Sequence, residues 1–313
     1  MGALAATLGA RAVQALLVAA IVGVAGFAVV EALPGDAAFR IAAARYGEDM
    51  ASVRAAEAVR AELGLDRPWT ARLAAWLFDL ARFDLGVSLV SGEDVIHEIG
   101  HQLGATLGLS LAAIVLAAAI ALPAGFAMAK RPGGALDRVG LALASCLRAL
   151  PAFVVGLALM LVLAVGLGVL PAAGYDTPAA WPLPALTLAL GLAAVSARVV
   201  RDAVLAVSRR ADSRFARSKG LAERDVERRH IARNAAPPVV AYLGVQMAWL
   251  VEGVVVVESL FAWPGIGHAL VHAVVARDVP MIQGTALAMG LLFVALNAAV
   301  DVACAALDPR TRA

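Results

Sequence analysis

Two pairs of histidines have a spacing that suits metal binding. His97 and His101 lie four residues apart, and so do His268 and His272. Each pair would place two imidazoles on one face of a helix. Two ligands do not complete the coordination shell that a transition metal needs. We therefore interpret both pairs as ordinary polar residues and predict no metal site.

The lysines argue against ATP hydrolysis by a phosphate-binding loop. Such a loop places its lysine between Gly and Ser or Thr, whereas the two lysines, Lys130 and Lys219, follow Ala129 and Ser218. The sequence also lacks a nucleophile elbow. No spacing in the sequence indicates that Ser110 and a histidine form a catalytic pair. We predict that the chain is not an enzyme and that it holds no cofactor.

The composition is that of a membrane protein. Of the 313 residues, 62% are hydrophobic and 16% are charged, and the mean hydropathy is +0.83. A soluble domain usually has about a quarter of its residues charged. The two cysteines, Cys146 and Cys304, lie in apolar runs and form neither a disulfide framework nor a metal motif.

Six apolar runs are long enough to cross a bilayer, and we predict an all-α polytopic fold of about six transmembrane helices. The runs are 11–31, 104–129, 139–170, 183–207, 236–262 and 282–307. The first run is too long for a signal peptide core and lacks a cleavage site, so we predict that it is retained. If it were cleaved, the number of spans would be odd.

The distribution of basic residues predicts the orientation. Residues 209–233 contain nine Arg and Lys against four Asp and Glu, whereas residues 171–181 contain no base. We predict an inner-membrane protein with both termini cytoplasmic. Four regions follow: an N-terminal helix in 1–33, an extracytoplasmic segment in 34–101, a core in 102–307 with a loop at 208–235, and a tail in 308–313.

The extracytoplasmic segment has two helical patterns. Apolar residues recur near one face from Glu48 to Leu63, at Met50, Val53, Ala56, Val59 and Leu63. Trp69, Leu73, Trp76 and Leu77 predict a second short helix at the membrane interface, where tryptophan is favoured.

The stretch from Asp212 to Asn234 is too polar to cross a membrane and has a helix-turn-helix pattern. Gly220 has the position of a residue that ends the first helix. A short rigid helix between two spans can act as a lever for a partner protein. The alternative is an ordinary solvated loop that carries the cytoplasmic positive charge.

Residues 215–240 resemble the coupling loop of type I ABC importer permeases, in particular the dipeptide, oligopeptide and nickel branch. Ala216 and Gly220 match the family pattern, whereas Arg214 and Phe215 replace its Glu and first Ala. The resemblance implies that a separate ATPase grips this helix. The implied coupling residues are Arg214, Phe215, Ala216, Arg217, Ser218, Lys219, Gly220 and Leu221.

Further stretches resemble the same branch in order along nearly the whole chain. They are 34–36, 63–68, 150–153, 170–175, 258–267, 277–284 and 307–312. The resemblance implies a second, homologous permease subunit, two ATPase subunits that bind ATP and Mg²⁺, and an extracytoplasmic substrate-binding protein. It implies peptides as cargo, with nickel chelates, glutathione or oligosaccharides as alternatives, and no nucleic acid partner.

Charges and turn residues near the fifth span are candidates for the pathway or its gate. Charge inside a membrane is costly and usually faces a partner or a wet cavity. Pro264 is predicted to break the span. The candidates are Glu252, Glu258, Trp263, Pro264, Gly265 and Gly267.

Each of these candidates has a plainer interpretation. Residues 263–276 would also suit a simple turn and an interfacial helix, and Glu252 would also suit pairing with an arginine of a neighbouring subunit. Asp301 is a further charge in an apolar run. We expect Arg198 and Arg201 to extend to the lipid headgroups.

Two other classes of protein are weighed against the importer. An ion-coupled carrier would contain inverted repeats with broken helices, which the sequence does not show. A membrane enzyme would need a catalytic constellation, for which the sequence offers no convincing spacing. Co-purification of an ATPase separates the importer from both.

Overall fold

A computed structural model describes residues 2–32, 35–46, 52–62, 64–276 and 278–307. In these ranges the chain is helical and contains no strand, apart from one isolated bridge between Val87 and Asp94. The predicted all-α class is confirmed. The tail 308–313 lies outside the described residues.

The chain folds as two compact units. One comprises the described residues of 1–4, 107–263 and 296–313, and the other those of 5–106 and 264–295. The helices in the first half of the chain are α1 (Gly2–Ala32), α2 (Ala37–Tyr46), α3 (Val53–Glu62), α4 (Trp69–Ala81), α5 (Val95–Lys130), α6 (Ala135–Ala149) and α7 (Ala152–Leu159).

A π-helical segment, Met160–Gly166, continues α7, and a 3₁₀ turn occupies Pro178–Ala180. The remaining helices are α8 (Pro182–Ser208), α9 (Ala211–Ser218), α10 (Glu223–Asp225), α11 (Arg233–Gly253), α12 (Val255–Leu260), α13 (Ile266–Ala276) and α14 (Val279–Leu307). A second π-helical segment, Val226–Ala232, joins α10 to α11.

Among the described residues, four helices are long and apolar enough to cross a membrane. Their spanning parts are Thr7–Val29, Val95–Lys130, Pro178–Ser208 and Val279–Val302. A fifth is formed if α6 and α7 with its π-helical continuation count as one broken span. The predicted run 236–262 is α11 followed by α12 after a break at Val254, and it is not among these candidates.

The predicted third span is sharply bent rather than straight. The axes of 135–149 and 152–166 differ by 103°. Leu150 at the break has an extended backbone, with φ −85° and ψ 132°. Pro151 follows it, and a residue before proline is disfavoured in the helical region. The predicted run 139–170 thus contains two helices joined at a sharp bend.

The segment 35–106 is more helical than its sequence pattern indicated. Helix α2 was not predicted, and Ala38 and Ala42 from it pack with Ala56 and Val59 from α3. Val53 was assigned to the same face, but 65% of it is exposed. Met50 and Leu63 lie outside the described residues.

Helix α4 packs on α1 within its unit. The Trp76 indole donates a hydrogen bond to the Gly23 carbonyl at 3.1 Å. Leu80 and Trp76 lie against a buried cluster that includes Val95 and Ile266. The predicted second short helix is confirmed, with bounds Trp69–Ala81.

In the other unit, α8 packs against α6, α7 and α11. Alanines of α5 and α8 form one of its buried clusters. At Gly125 a side chain would have no space, since a Cβ atom there would lie 2.6 Å from the Ala197 carbonyl oxygen. This close approach fixes α5 against α8.

A buried ion pair joins α6 to α8. Arg201 donates from Nε to Asp137 Oδ1 at 2.5 Å and from Nη2 to Oδ2 at 2.8 Å. The Gly133 N–H also donates to Asp137, whose side chain is 2% exposed. The expectation that Arg201 extends to the headgroups is therefore wrong, whereas Arg198 is exposed.

We expect Asp137→Asn to destabilise the protein by about 1.5–3 kcal/mol, because it removes the charge-assisted hydrogen bonds of the buried carboxylate and leaves Arg201 only its exposed partner Asp202. Thermal unfolding of the detergent-solubilised full chain measures this. Asp202→Asn is the matched control: Asp202 accepts from the same arginine at 2.8 Å but is 70% exposed, so its loss should cost at most about 1 kcal/mol. Equal effects of the two substitutions would contradict the assignment.

Candidate functional site

The polar loop between α8 and α11 begins with the short helix α9, which ends in a Schellman turn. The Leu221 N–H donates to the Ala216 carbonyl, and the Gly220 N–H donates to the Arg217 carbonyl. Gly220 has φ +79°, a conformation that costs other residues energy because of their Cβ atom. The predicted helix-ending role of Gly220 is confirmed.

Helix α9 is bonded tightly to the end of α8. Ser213 is fully buried, and its hydroxyl donates to the Val207 carbonyl at 2.9 Å. Ala216 is also buried, in a cluster with Val204, Val207 and Val226. The same cluster contains Ile231, Ala235 and Val239, so the loop and the ends of α8 and α11 share one core.

Arg217 connects three parts of the loop region. Its guanidinium forms a two-bond fork with Glu223, with N–O distances of 3.0 and 2.7 Å, and also donates to the Ser208 carbonyl at 3.2 Å. The hydrogen bond from Arg217 lowers the pKa of the Glu223 carboxyl below its ordinary value. The pair therefore stays ionised at neutral pH and weakens only in acid.

A further ion pair brings the end of α5 to the same place. Lys130 Nζ lies 3.0 Å from Glu227 Oε2. Both side chains are partly exposed, so the pair adds little stability by itself. It does place the ends of α5 and α8 and the start of α11 around one loop.

The eight predicted coupling residues divide into two groups. Ala216 is buried in the protein's own core, and the half-buried Arg217 bonds to Glu223 and to the Ser208 carbonyl. The exposed residues are Arg214, Phe215, Ser218, Lys219, Gly220 and Leu221. Phe215 is 61% exposed, and Lys219 Nζ lies 4.6 Å above its ring. The outer face of α9 is thus apolar at its centre and cationic around it.

The turn after α12 begins before Pro264 and does not include that proline. Helix α12 ends at Leu260, four residues before that proline. Ala262 has φ +50°, and the Trp263 N–H donates to the Glu258 carbonyl at 2.8 Å. The prediction that Pro264 ends the helix is therefore wrong: the turn at Ala262 ends it.

Glu258 and Trp263 are fully buried. The Trp263 ring meets Tyr175 and Trp181 edge-on, with centroid distances of 4.8 and 4.7 Å. The Gly174 N–H donates to the Phe261 carbonyl at 2.9 Å. The structure thus joins 170–175 to 258–263, which the sequence showed only as separate motifs.

The residues after Trp263 belong to the other unit. Pro264 is half-buried, and Gly265 and Gly267 are buried at the start of α13. Neither glycine has a positive φ. The Ile266 N–H donates to Thr106 Oγ1 at 2.9 Å. The helix expected within residues 263–276 is confirmed as α13, with bounds Ile266–Ala276.

The Glu252 side chain lies outside the described residues, although its backbone belongs to α11. Asp301 lies within α14 and is half-buried.

The first histidine pair stands in the order His97-Glu98-Ile99-Gly100-His101, which matches the HExxH pattern of zinc proteases. Both imidazoles are exposed, and Glu98 accepts a hydrogen bond from Ser91. In the second pair the rings of His268 and His272 lie 4.4 Å apart. Within the described ranges, no three His, Cys, Asp or Glu side chains cluster as metal ligands would.

Sequence reasoning missed a polar cavity of about 460 Å³ among α6, α7, α8 and α11. Its polar lining consists of Arg148, Thr187, Tyr242 and Gln246. Tyr242 and Gln246 lie four residues apart in an apolar helix. That spacing is the signal in the sequence that indicates a polar stripe.

Comparison with known proteins agrees with this architecture. The family described as "Binding-protein-dependent transport system inner membrane component" matches residues 121–313. A Brucella abortus (strain 2308) protein named as a peptide transport system permease is 37% identical, over 96% of this chain and 97% of that protein. The glutathione transport system permease protein GsiC of Pectobacterium atrosepticum is 39% identical, over 93% and 94%.

Solved structures show the same fold at low sequence identity. The MetNI methionine ABC transporter, in an inward-facing form, matches with a TM-score of 0.58 and 19% identity, covering 67% of this chain and 96% of that one. An amino acid ABC transporter matches with a TM-score of 0.53 and 18% identity, covering 66% and 92%.

Both the family match and the two relatives cover more than half of the chain. A membrane component of this kind has an ATPase and a substrate-binding protein as partners and is not itself an enzyme. The chain belongs to the family of binding-protein-dependent transport system inner membrane components, with the fold of the type I ABC importer permeases.

Proposed function

We propose that this chain is one of two permease subunits of a peptide importer, driven by ATP hydrolysis on separate subunits. The cargo follows from the relatives, which are named for peptide and glutathione transport. Nickel chelates remain the alternative cargo. The second permease is a homologous but different chain, and each permease contacts one of two ATPase subunits.

The proposed binding surface for the ATPase is the exposed face of α9. Phe215 and Leu221 are 61% and 41% exposed, and basic side chains surround them. Exposed aromatic residues with a cationic rim are typical of docking surfaces on protein partners. The proposed coupling residues in contact with the ATPase are therefore the six exposed ones.

The observation that carries this proposal is the shared core of the loop and the spans. Ser213 bonds to Val207, Arg217 bonds to Ser208 and Glu223, and Ala216 packs against Val204. A partner that displaces α9 must move the end of α8 and the start of α11 with it, since packed elements resist local deformation.

The proposed cycle is alternating access. ATP binding closes the two ATPase subunits, and the α9 helices follow them, which turns the pathway from inward-open to outward-open. Both termini and the loop 208–235 then lie in the cytoplasm, and a substrate-binding protein docks on residues 40–100 and 262–281.

The regions and the gate are proposed on the same basis. An N-terminal helix (1–33) precedes an extracytoplasmic segment (34–101), a permease core (102–307) and a tail (308–313). The turn at Glu258, Trp263, Pro264, Gly265 and Gly267 closes the outer end of the pathway. Glu252 faces the pathway in this proposal.

We expect Phe215→Ala to weaken ATPase binding about tenfold or more, because a buried phenylalanine contributes about 1.5–3 kcal/mol to an interface. Co-purification and binding titration of the ATPase with the detergent-solubilised permease measure this. Phe78→Ala is the control, since Phe78 is similarly exposed at 54% but lies in the extracytoplasmic segment. Unchanged ATPase affinity of the Phe215 variant would refute the docking face.

We expect Gly220→Pro to abolish ATPase docking and leave membrane insertion intact. Proline fixes φ near −65° and removes the N–H that bonds to Arg217, so the Schellman turn is lost. Gly92→Pro is the matched control: Gly92 also has a positive φ, donates an N–H to Ser88 and has open space around it. Normal ATP-driven transport by the Gly220 variant would contradict the proposed role of α9 in binding the ATPase.

A further inference from the structure

The polar cavity among α6, α7, α8 and α11 lies beside the middle of α8. Arg148 lines it together with Gly191 and Val195, near the middle of α8 (Pro182–Ser208). The Asp137–Arg201 pair ties the start of α6 to α8. Arg148 follows Asp137 by eleven residues, which is about 16 Å of helix. Arg148 thus lies near the end of α6, about three helical turns from Asp137.

Helix α11 has two different faces at this depth. Tyr242 and Gln246 line the polar cavity. Val240, Leu243 and Met247 line a separate groove, in which none of the described lining residues has a polar side chain. A helix surrounded only by lipid or apolar side chains does not need polar residues on one face, because unpaired polar groups are costly there. The polar face of α11 therefore indicates contact with water, a polar partner or a polar solute.

Among the described residues that line the cavity, Arg148 is the charged one and none is acidic. Within the described part of the chain no carboxylate forms an ion pair with it. Arg201, by contrast, is paired with Asp137 and Asp202. The Arg148 side chain is exposed, so its guanidinium is open to an anion that enters the cavity.

We propose that this cavity is a solute-binding site in the pathway and that Arg148 binds a carboxylate of the passing solute. The planar guanidinium matches a carboxylate in a two-bond fork. Gln246 and Tyr242 supply further hydrogen-bonding groups for an amide backbone. The volume, about 460 Å³, is that of a small-molecule site. The inference rests on the proposed function and adds the chemical class of the cargo.

The test uses photolabelling of the full chain in membrane vesicles. The probe is the tripeptide Ala-Ala-(4-benzoylphenylalanine), as its free acid and as its C-terminal amide, at subsaturating concentration. We expect the free acid to label α6, α8 or α11 about tenfold more than the amide, because a charge-assisted hydrogen bond contributes about that factor. Mass spectrometry of the digested protein locates the label.

Three variants assign the effect to Arg148. Arg148→Gln should remove the preference for the free acid, and Arg148→Lys should retain most of it, since the charge remains. Arg198→Gln is the matched control, because Arg198 is an exposed arginine of α8 outside the cavity lining and its loss should change nothing.

Three results would each overturn the inference: equal labelling by acid and amide, no label on these helices, or an unchanged preference in Arg148→Gln. ATPase co-purification from the same vesicles reports on the proposed function independently, since photolabelling needs no ATP. It also shows whether each variant is folded. Retained ATPase binding with no acid preference would reject the site and keep the importer.

Discussion

The buried contact of the basic loop with the ends of α8 and α11 is the constraint on which the structure depends. This loop contains nine bases and four acids in residues 209–233, a composition that by itself indicates a solvated segment. Its residues Ser213, Ala216 and Val226 are nevertheless buried, and Arg217 bonds to Glu223 and Ser208. Hydrophobic burial and hydrogen bonds to helix ends thus give a charged segment a fixed position.

The π-helical segment Val226–Ala232 serves the same core. Val226 and Ile231 are both buried, although they are five residues apart. In an α-helix that spacing would direct them to different faces, whereas the i→i+5 bonding of a π-helix brings them close to one turn apart. Ala235 and Val239 then continue the buried face at the α-helical spacing of four residues. The irregularity keeps one apolar stripe continuous from the loop into α11.

The helix ends and the apolar spans could be predicted from the sequence, because they depend on neighbouring residues. The contacts between residues far apart in the chain could not be predicted in this way. The glycine at the end of α9, the apolar runs and helix α13 follow from spacing and composition. The bend at Leu150 also follows a local rule, the restriction before Pro151, but the apolar residues on both sides of it favoured the interpretation as one span. The pairing of Arg201 with Asp137, 64 residues away, depends on how α6 packs on α8. The same holds for the contact of Trp263 with Tyr175 and Trp181, and no spacing rule reaches so far.

The arginines of this unit show how packing separates structural charge from functional charge. Arg201 lies against Asp137 in a contact shielded from solvent, so its charge is neutralised inside the fold and connects two helices. Arg217 bridges helix ends with a partly exposed partner and remains responsive to movement of α9. Arg148 is exposed and lines a cavity in which no described residue is acidic, so no described carboxylate neutralises its charge. In the proposed pathway a passing solute supplies that countercharge, because a mobile anion, unlike a permanent partner, leaves the space open after it has passed.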